Sequence, residues 1–583
     1  MQFINNAASE NISPNFIHEG TDLKQKDLWW KCGVIYHIYL RSFFDSNGDG
    51  IGDIQGVIQK LDYVKDLGVS GIWLSPFFKS PMADFGYDIS DYLSVDSQYG
   101  SLADVRNLVD ECHRRGLHII MDIALNHTSD QHPWFVESKS SLNNPKRDWY
   151  IWKKGSRFGR PNNWITGLFE SAWEYDKLTK EYYLHSFLKN QPDLNWRSPE
   201  VQEVFQKILH YWLNFGFDGF RLDMINWLIK DEKMRNNPNL FFVNIFQKQI
   251  YNKNQNNISP VLKMIRQTID QFPNKVTIGE VFTMPPGNPE LSSFYLGNGS
   301  DALNLAFDFS IMYRLWSARS LFLAVKKWLQ AIPEKGWACH VLSNHDQKRS
   351  FSRLCRGKWA QEKAKVLSAF FLTIPGTPII YYGEEIGMKS LAIRKKNIVD
   401  PLGKKFWPFY SGRDSSRTPM QWSIQKNSGF SEKNSWLPVN PDYMTINVET
   451  QDDDKQSLLN HYKELIHLRN LEPALNIGDW KINEEGQRGV VDYYRFYKDN
   501  IIRVIINFKA GKIKIRDTTK WARSLENSGA SFPKSTVYWQ DHTRLKWQIL
   551  FSMRKEEHIE ILGSGNLILY PFECLVLKKI RAT

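Results

Sequence analysis

LHIIMDIALNH (117–127) is an apolar run that ends in an amide and an imidazole. A helix signal precedes it: SLADVRNLVDECHRRG (101–116) has Ser101 at the N-cap position, Asp104 three residues on, and Gly116 as its stop. Working outward, the same strand-and-helix unit recurs in both directions. Upstream lie GVIYHIYLRSF (33–43), the helical DIQGVIQKLDYVKDLG (53–68) and the strand SGIWLSPFF (70–78). Downstream, residues about 128–195 interrupt the alternation with Trp, Asn, Pro and Lys and no clear helical period. It resumes with the helix PEVQEVFQKILHYWLNFG (199–216) and the strand GFRLDMIN (219–226). KVTIGEVF (275–282), ALNLAFDF (302–309), HVLSNHD (340–346) and TPIIYYGEEIG (377–387) complete eight strand runs, and DKQSLLNHYKELIHLRNLEPAL (454–475) reads as the last helix.

Eight such alternations predict an α/β fold, a (β/α)8 TIM barrel, rather than an open sheet. The expected organisation is a polar N-terminal extension (1–30) and a barrel (31–127 and 196–485) with an inserted domain after the third strand (128–195). The alternating runs VVDYYRFYKD, NIIRVIINF and GNLILYPFECLVLKK predict a C-terminal antiparallel β-sandwich domain over 486–583.

In such barrels the polar residues at the C-terminal ends of strands converge on one rim. Here the third strand run carries Asp122, Asn126 and His127, and the fourth Arg221 and Asp223. The fifth ends Gly279-Glu280 and the seventh Asn344-His345-Asp346. One such residue is readily a cap or turn residue, but four matching strand ends are not. Several carboxylates with His and Arg on one rim is the inventory of a glycoside hydrolase.

On these residues the chain resembles the α-amylase superfamily, glycoside hydrolase family 13. DIALNH, GFRLD, TIGEV and LSNHD look like its four conserved regions, and QPDLN (191–195) resembles a fifth in the form of the oligo-1,6-glucosidase and α-glucosidase subfamily. GIWLSPFFKSPMADFGYDISDY (71–92) and VDPLGKKFWPFYSGRDSSRTPMQW (399–422) extend the likeness, which is strongest to bacterial α-glucosidases. The resemblance implies Asp223 as nucleophile, Glu280 as general acid/base and Asp346 as stabiliser of the distorted sugar ring. Arg221 would hold Asp223 ionised, while Asp88, His127, His345 and Arg417 would line the terminal glucose subsite, with Arg417 paired to Asp88. Asp223 beside Arg221 is expected to have a depressed pKa and Glu280 a raised one.

Residues 45–53 alternate oxygen-bearing side chains with glycines, like the first half of an EF-hand loop, although Gly56 stands where that loop needs Glu. The resemblance implies a structural Ca2+, with Mg2+ as the alternative, held by Asp45, Asn47, Asp49, the Ile51 carbonyl and Asp53. A metal-free Asx/Gly turn is the other reading. Three departures from the family stand out: Met224 where relatives carry Val, Thr or Ala, Leu168-Phe169-Glu170 where Phe-Gly-Gly is usual, and Lys348 where Pro is common. Met224 faces the aglycone and leaves α-1,4 against α-1,6 preference open.

The 583 residues are 42% hydrophobic and 24% charged, ordinary globular usage that excludes disorder as the main theme. The net charge of +12 is scattered, without the basic block that nucleic acid would call for. No stretch reaches the roughly 20 apolar residues of a membrane span, and no secretory signal is read at the N-terminus. Five dispersed cysteines argue for a reducing, cytoplasmic setting. The expected activity is exo-acting, retaining α-glucosidase action on short oligosaccharides and α-glucosides, by a monomer or homodimer. Oligo-1,6-glucosidase is the first alternative, followed by transglucosylase, sucrose isomerase and trehalose synthase. The non-enzyme rival is an inert barrel acting as a binding or transporter-accessory protein.

Overall fold

The computed structural model describes residues 28–580 apart from 158, 241–242, 284–285, 484–486, 516–545, 554–560 and 563–565. Eight parallel strands close into a barrel: β1 (Ile35–Ile38), β2 (Gly71–Leu74), β3 (His118–Ala124), β4 (Gly219–Asp223), β5 (Val276–Gly279), β6 (Leu305–Asp308), β7 (Cys339–Val341) and β8 (Thr377–Tyr381). Seven of the eight runs read from the sequence contain their strand, β7 begins one residue before its run, at Cys339, and β8 closes on β1 through Ile35 opposite Ile379. The strands are buried on both faces, so their period of two sorts residues between two cores. Ile35, Trp73, Ile120, Ile278, Phe307 and Ile379 fill the barrel's interior. Their neighbours Tyr36, Ile72, Ile119, Phe220 and Ile380 pack outward under the helices. Gly219 is required where β4 begins: a Cβ there would lie 2.1 Å from the Val276 carbonyl oxygen.

The helix Leu102–Arg114 carries the capping box expected of it, with Ser101 and Asp104 satisfying each other's backbone N–H, and Gly116 follows at φ +69. The segment 53–68 forms two short helices, Ile54–Gln59 and Leu61–Asp66, rather than one. The break falls at Lys60, whose ammonium lies over the Phe44 and Trp422 rings. Most of the expected N-terminal extension lies outside the described residues, but its end belongs to the barrel. Trp29–Cys32 is a helical turn whose buried Trp29 stacks on His118 and donates to the Asn274 carbonyl.

Between β3 and β4 the chain forms a helix, Pro133–Ser140, and a three-stranded antiparallel sheet of Trp152–Lys153, Glu181–Leu184 and Trp173–Asp176. A bridge between His127 and Asp193 ties the two ends of this excursion together. After the barrel, five antiparallel strands and a second, three-stranded sheet enclose Tyr494, Ile505, Ile515, Leu569 and Leu575, a β-sandwich. The sandwich starts earlier than residue 486: Asp479–Ile482 already pairs with Val490–Tyr497. That edge strand is four residues long and partly exposed throughout, so it carries too little apolar signal to be read from sequence.

Candidate active site

The rim is organised around one guanidinium. In β4, alternate residues Arg221 and Asp223 face the barrel axis while Phe220 and Leu222 pack outward. Arg221 is fully buried, and its Nη1 donates to Asp122 at 2.8 Å and to Asp223 at 2.9 Å. Its Nη2 donates to Glu280. Glu280 follows β5 directly, and its backbone N–H continues the ladder to the Leu222 carbonyl. Asp122, from β3, also accepts from Trp73 Nε1 and the Tyr87 hydroxyl, both at 3.0 Å. Arg221 therefore binds one carboxylate from each of β3 and β4 and a third just past β5.

Asp346 sits on the opposite side with a different partner. Arg417 Nη2 donates to Asp346 at 2.8 Å, Arg413 lies 3.5 Å away, and His345 Nε2 is 3.1 Å from its other oxygen. The His345 ring is sandwiched between Tyr39 and Tyr87. His127 reaches the Tyr87 carbonyl at 3.2 Å and Gln191 at 3.1 Å. The expected pairing of Arg417 with Asp88 is not formed. Asp88 is fully buried and accepts the backbone N–H groups of Ala83 and Asp84, which bend the 83–88 turn around its carboxylate. The ion pair between these two segments is Arg413 with Asp84, at 2.6 Å, and Arg413 is held in turn by Asp400 at 2.8 Å.

Burial, the largest influence, lifts the Asp223 carboxyl well above its usual range. The Arg221 charge pulls it back but is outweighed, with Glu280 and Asp122 adding to the rise. Glu280 is likewise raised by burial, against Arg221 and with Asp346. The depression expected for Asp223 is thus not found, because one guanidinium serves three buried carboxylates. Asp346 behaves oppositely: burial would raise it, but His345, Arg417, Arg413 and Arg221 together hold it below the usual range. Burial lowers His127 to about 4 and His345 to about 3, so both rings are neutral near pH 7. Asp88 is raised to about 6, mainly by burial.

Met224, next after Asp223, is partly buried and turns the chain sharply at φ 42 and ψ 43. A left-handed conformation in a non-glycine residue costs on the order of 1–3 kcal/mol and marks a position held by its surroundings. Leu168-Phe169-Glu170 is not an inner wall packed into the site. Phe169 is 53% exposed and meets Phe406 edge to face, while Glu170 pairs with Lys405 at 2.5 Å. Lys348 is exposed, and Arg349 is buried against Tyr381 and Tyr382.

In the 45–53 loop Asp45 Oδ1 accepts the N–H groups of Asn47, Gly48 and Asp49, and Oδ2 accepts Gly50 N–H and the Ser431 hydroxyl. Asn47 and Asp49 accept N–H groups two residues on, and Asp53 caps the helix Ile54–Gln59. Among the described residues no three Asp, Glu, His or Cys side chains form a group ready to hold a metal. The donor chemistry fits a hard cation.

Sequence reasoning did not single out Tyr87, Gln191, Asp84 or Arg413 as site residues. The first three lie in quoted segments, GYD, QPD and MAD, and the fourth lies in GRDSSR, four residues before Arg417, which itself reaches Asp346. The α-amylase catalytic-domain family matches residues 37–478. An oligo-1,6-glucosidase of Parageobacillus thermoglucosidasius is 40% identical over 512 residues, 82% of this chain and 90% of that protein. A probable α-glucosidase of Rhizobium meliloti is 41% identical over 465 residues, 77% and 84% of the two chains. The solved structure of XgtA, described as an α-glucosyl transfer enzyme, superposes with a TM-score of 0.84 at 33% identity, covering 94% of this chain and 99% of that one. With its closed barrel, its rim of acids and these likenesses, the chain belongs to the α-amylase family.

Proposed function

We propose that the protein is a retaining, exo-acting α-glucosidase that removes the terminal α-linked glucose of short oligosaccharides and α-glucosides. The observation that carries this reading is the Arg221 fork, with Asp223 on one nitrogen and Glu280 on the other. Two carboxyls that share one guanidinium stand close together, which favours the retaining separation of about 5–5.5 Å over the wider inverting one. Asp223 attacks the anomeric carbon as the glycosidic C–O bond breaks, and Glu280 gives its proton to the departing oxygen. Glu280 then takes a proton from water, which displaces Asp223 from the sugar and restores both groups. Asp346, kept ionised by Arg417 and Arg413, stabilises positive charge developing on the ring. The Arg413–Asp84 pair joins the segments flanking that subsite, which supports a pocket for a chain end over an open cleft. Hydrolysis of maltose, isomaltose, sucrose and trehalose with NMR of the first product tests this: α-glucose is expected, and early β-glucose rejects it.

Oligo-1,6-glucosidase activity is the second reading, because Met224 adds flexible apolar volume beside the scissile bond without strong hydrogen-bonding groups. Met224→Val is expected to raise isomaltose use relative to maltose, and Met224→Thr to lower it. Steric discrimination of this kind is worth roughly 1–3 kcal/mol, or 10- to 200-fold. Unchanged kcat/KM ratios in both variants would place linkage choice elsewhere, foremost in residues 128–195.

We further propose a structural Ca2+, with Mg2+ as the alternative, on Asp45, Asn47, Asp49, Asp53 and the Ile51 carbonyl. Support comes from the oxygen-only donor set: Asp49 and Asp53 accept fewer hydrogen bonds than their lone pairs allow, whereas Asp45, which accepts five, would exchange some of them for the ion. Chelator treatment is expected to lower the Tm while barely changing kcat, and elemental analysis should find the ion. A cytoplasmic location is proposed from the dispersed spacing of the five cysteines, four of which are buried. Among the described residues no helix is long and apolar enough to cross a membrane. The oligomeric form, monomer or homodimer, is open to sedimentation analysis.

A further inference from the structure

Two loops carry a group of exposed aromatic rings beside the acids. Phe169, from the excursion after β3, is 53% exposed, and its ring meets Phe406 with centroids 6.5 Å apart at 86°. Phe406 ends the helix Pro401–Phe406, and the next turn presents Phe409, 97% exposed, and Tyr410, 41% exposed. The backbone N–H groups of Phe409 and Tyr410 both donate to the Phe406 carbonyl, so the turn folds back on the helix end. Asp400 caps the start of that helix and binds Arg413, which lies 3.5 Å from Asp346. Asp400 and Arg413 therefore join the ring-bearing helix to the rim of acids.

Exposed rings of this size cost free energy unless something covers them. A contact across the two loops fixes their position: Lys405 pairs with Glu170, donates to the Leu168 carbonyl at 3.3 Å and lies 4.9 Å from the Phe406 centroid. Phe169 holds its place at φ +61, where a side chain is rare. The polar groups between the rings are thus engaged with one another. Apart from the Tyr410 hydroxyl, these rings offer a ligand faces and edges rather than directed hydrogen bonds.

We propose that Phe169, Phe406, Phe409 and Tyr410 form an outer aglycone platform, selective for α-glucosides whose aglycone is flat and apolar, such as an aryl or arylalkyl group. This rests on the α-glucosidase reading and deepens it. A second glucosyl unit would bring hydroxyls that this surface does not satisfy, whereas an aromatic aglycone stacks on or abuts the rings with its solvent-facing edge free.

The test compares benzyl α-glucoside, whose leaving group is not activated, with maltose. Phe409→Ala removes an exposed ring, and Phe169→Gly places at φ +61 the residue that tolerates it best, so both variants are expected to fold with wild-type or higher Tm. Each should lower kcat/KM for benzyl α-glucoside roughly 3- to 10-fold, through KM, and change maltose less than 2-fold. Phe169→Tyr should keep the wild-type ratio. Equal losses on both substrates would make the platform a sugar subsite and overturn the proposal, as would no change on either. Calorimetric titration of both ligands into Asp223→Asn protein, alone and with each ring variant, repeats the comparison without turnover. If the wild type hydrolyses no α-glucoside, the activity reading fails while these titrations still decide the platform.

Discussion

Asp223→Asn is expected to lower kcat by on the order of 10³-fold or more on every substrate, because the amide cannot form the glycosyl ester. The substitution keeps the size and one acceptor of the side chain, so Arg221 retains a partner and the fold should hold. Mass spectrometry with a slow fluorinated glucoside should label the wild type at Asp223 and leave the variant unlabelled. Near wild-type turnover in Asp223→Asn would reject the assignment. Glu280→Gln separates the two half-reactions: activated aryl leaving groups need little proton donation, so their loss should be the smaller. It also bears on pH. Glu280 must be protonated to start the reaction, and burial raises its pKa, so the alkaline limb of kcat/KM belongs to the acid pair and should vanish or move in Glu280→Gln. His127 and His345 lie too low, at about 4 and 3, to produce that limb.

Arg221→Ala is expected to be the most destabilising substitution at the rim, by about 3–5 kcal/mol, the usual cost of leaving buried charge without its partner. Arg221 has no exposed surface, and three carboxylates depend on it. The sign of the pH dependence follows from those carboxyls. Without the guanidinium their folded-state pKa values rise further above the unfolded ones, so the native state binds more protons than the unfolded state. Stability then falls as pH rises from about 4, where unfolded carboxyls ionise, toward the raised native pKa values. The deficit of the variant should therefore be smaller near pH 5 than near pH 8, as read by denaturant midpoints. A deficit independent of pH would mean that packing, not charge, is what Arg221 supplies. Arg221→Lys should recover part of the stability but little activity, since a single ammonium cannot fork between two acids.

Much of the rim was legible because barrel strands are short and local. In GFRLD the alternation of Phe220 and Leu222 with Arg221 and Asp223 already assigns the acid to the inward face, and the Gly before it marks the strand's start. The same holds for Asp122 in IIMDIA and for Glu280 after Val276–Gly279, where period two and strand polarity decide which side chain reaches the rim. Asp479–Ile482 was not legible, since four half-exposed residues give no pattern to detect. The break at Lys60 was equally hidden, because the apolar spacing of 53–68 runs through it without interruption and the rings its side chain meets, Phe44 and Trp422, lie elsewhere in the chain.

The sequence by itself determined the barrel and its order of strands through local periodicity, and it placed Asp223, Glu280 and Asp346 at strand ends, while their proposed roles rest on the resemblance of contiguous motifs to the family. Only the tertiary structure decided which arginine meets which acid. GRDSSRTPMQW holds Arg413 and Arg417 four residues apart, and the choice of partner depends on where Asp84, Asp88, Asp346 and Asp400 come to rest. It also decided that Asp223 is raised rather than depressed, since a pKa sums over every charge and every buried surface around the group. Those neighbours come from β3, β4, β5 and the loop after β7, up to about 220 residues apart in the chain, and a sequence pattern has no means of adding them.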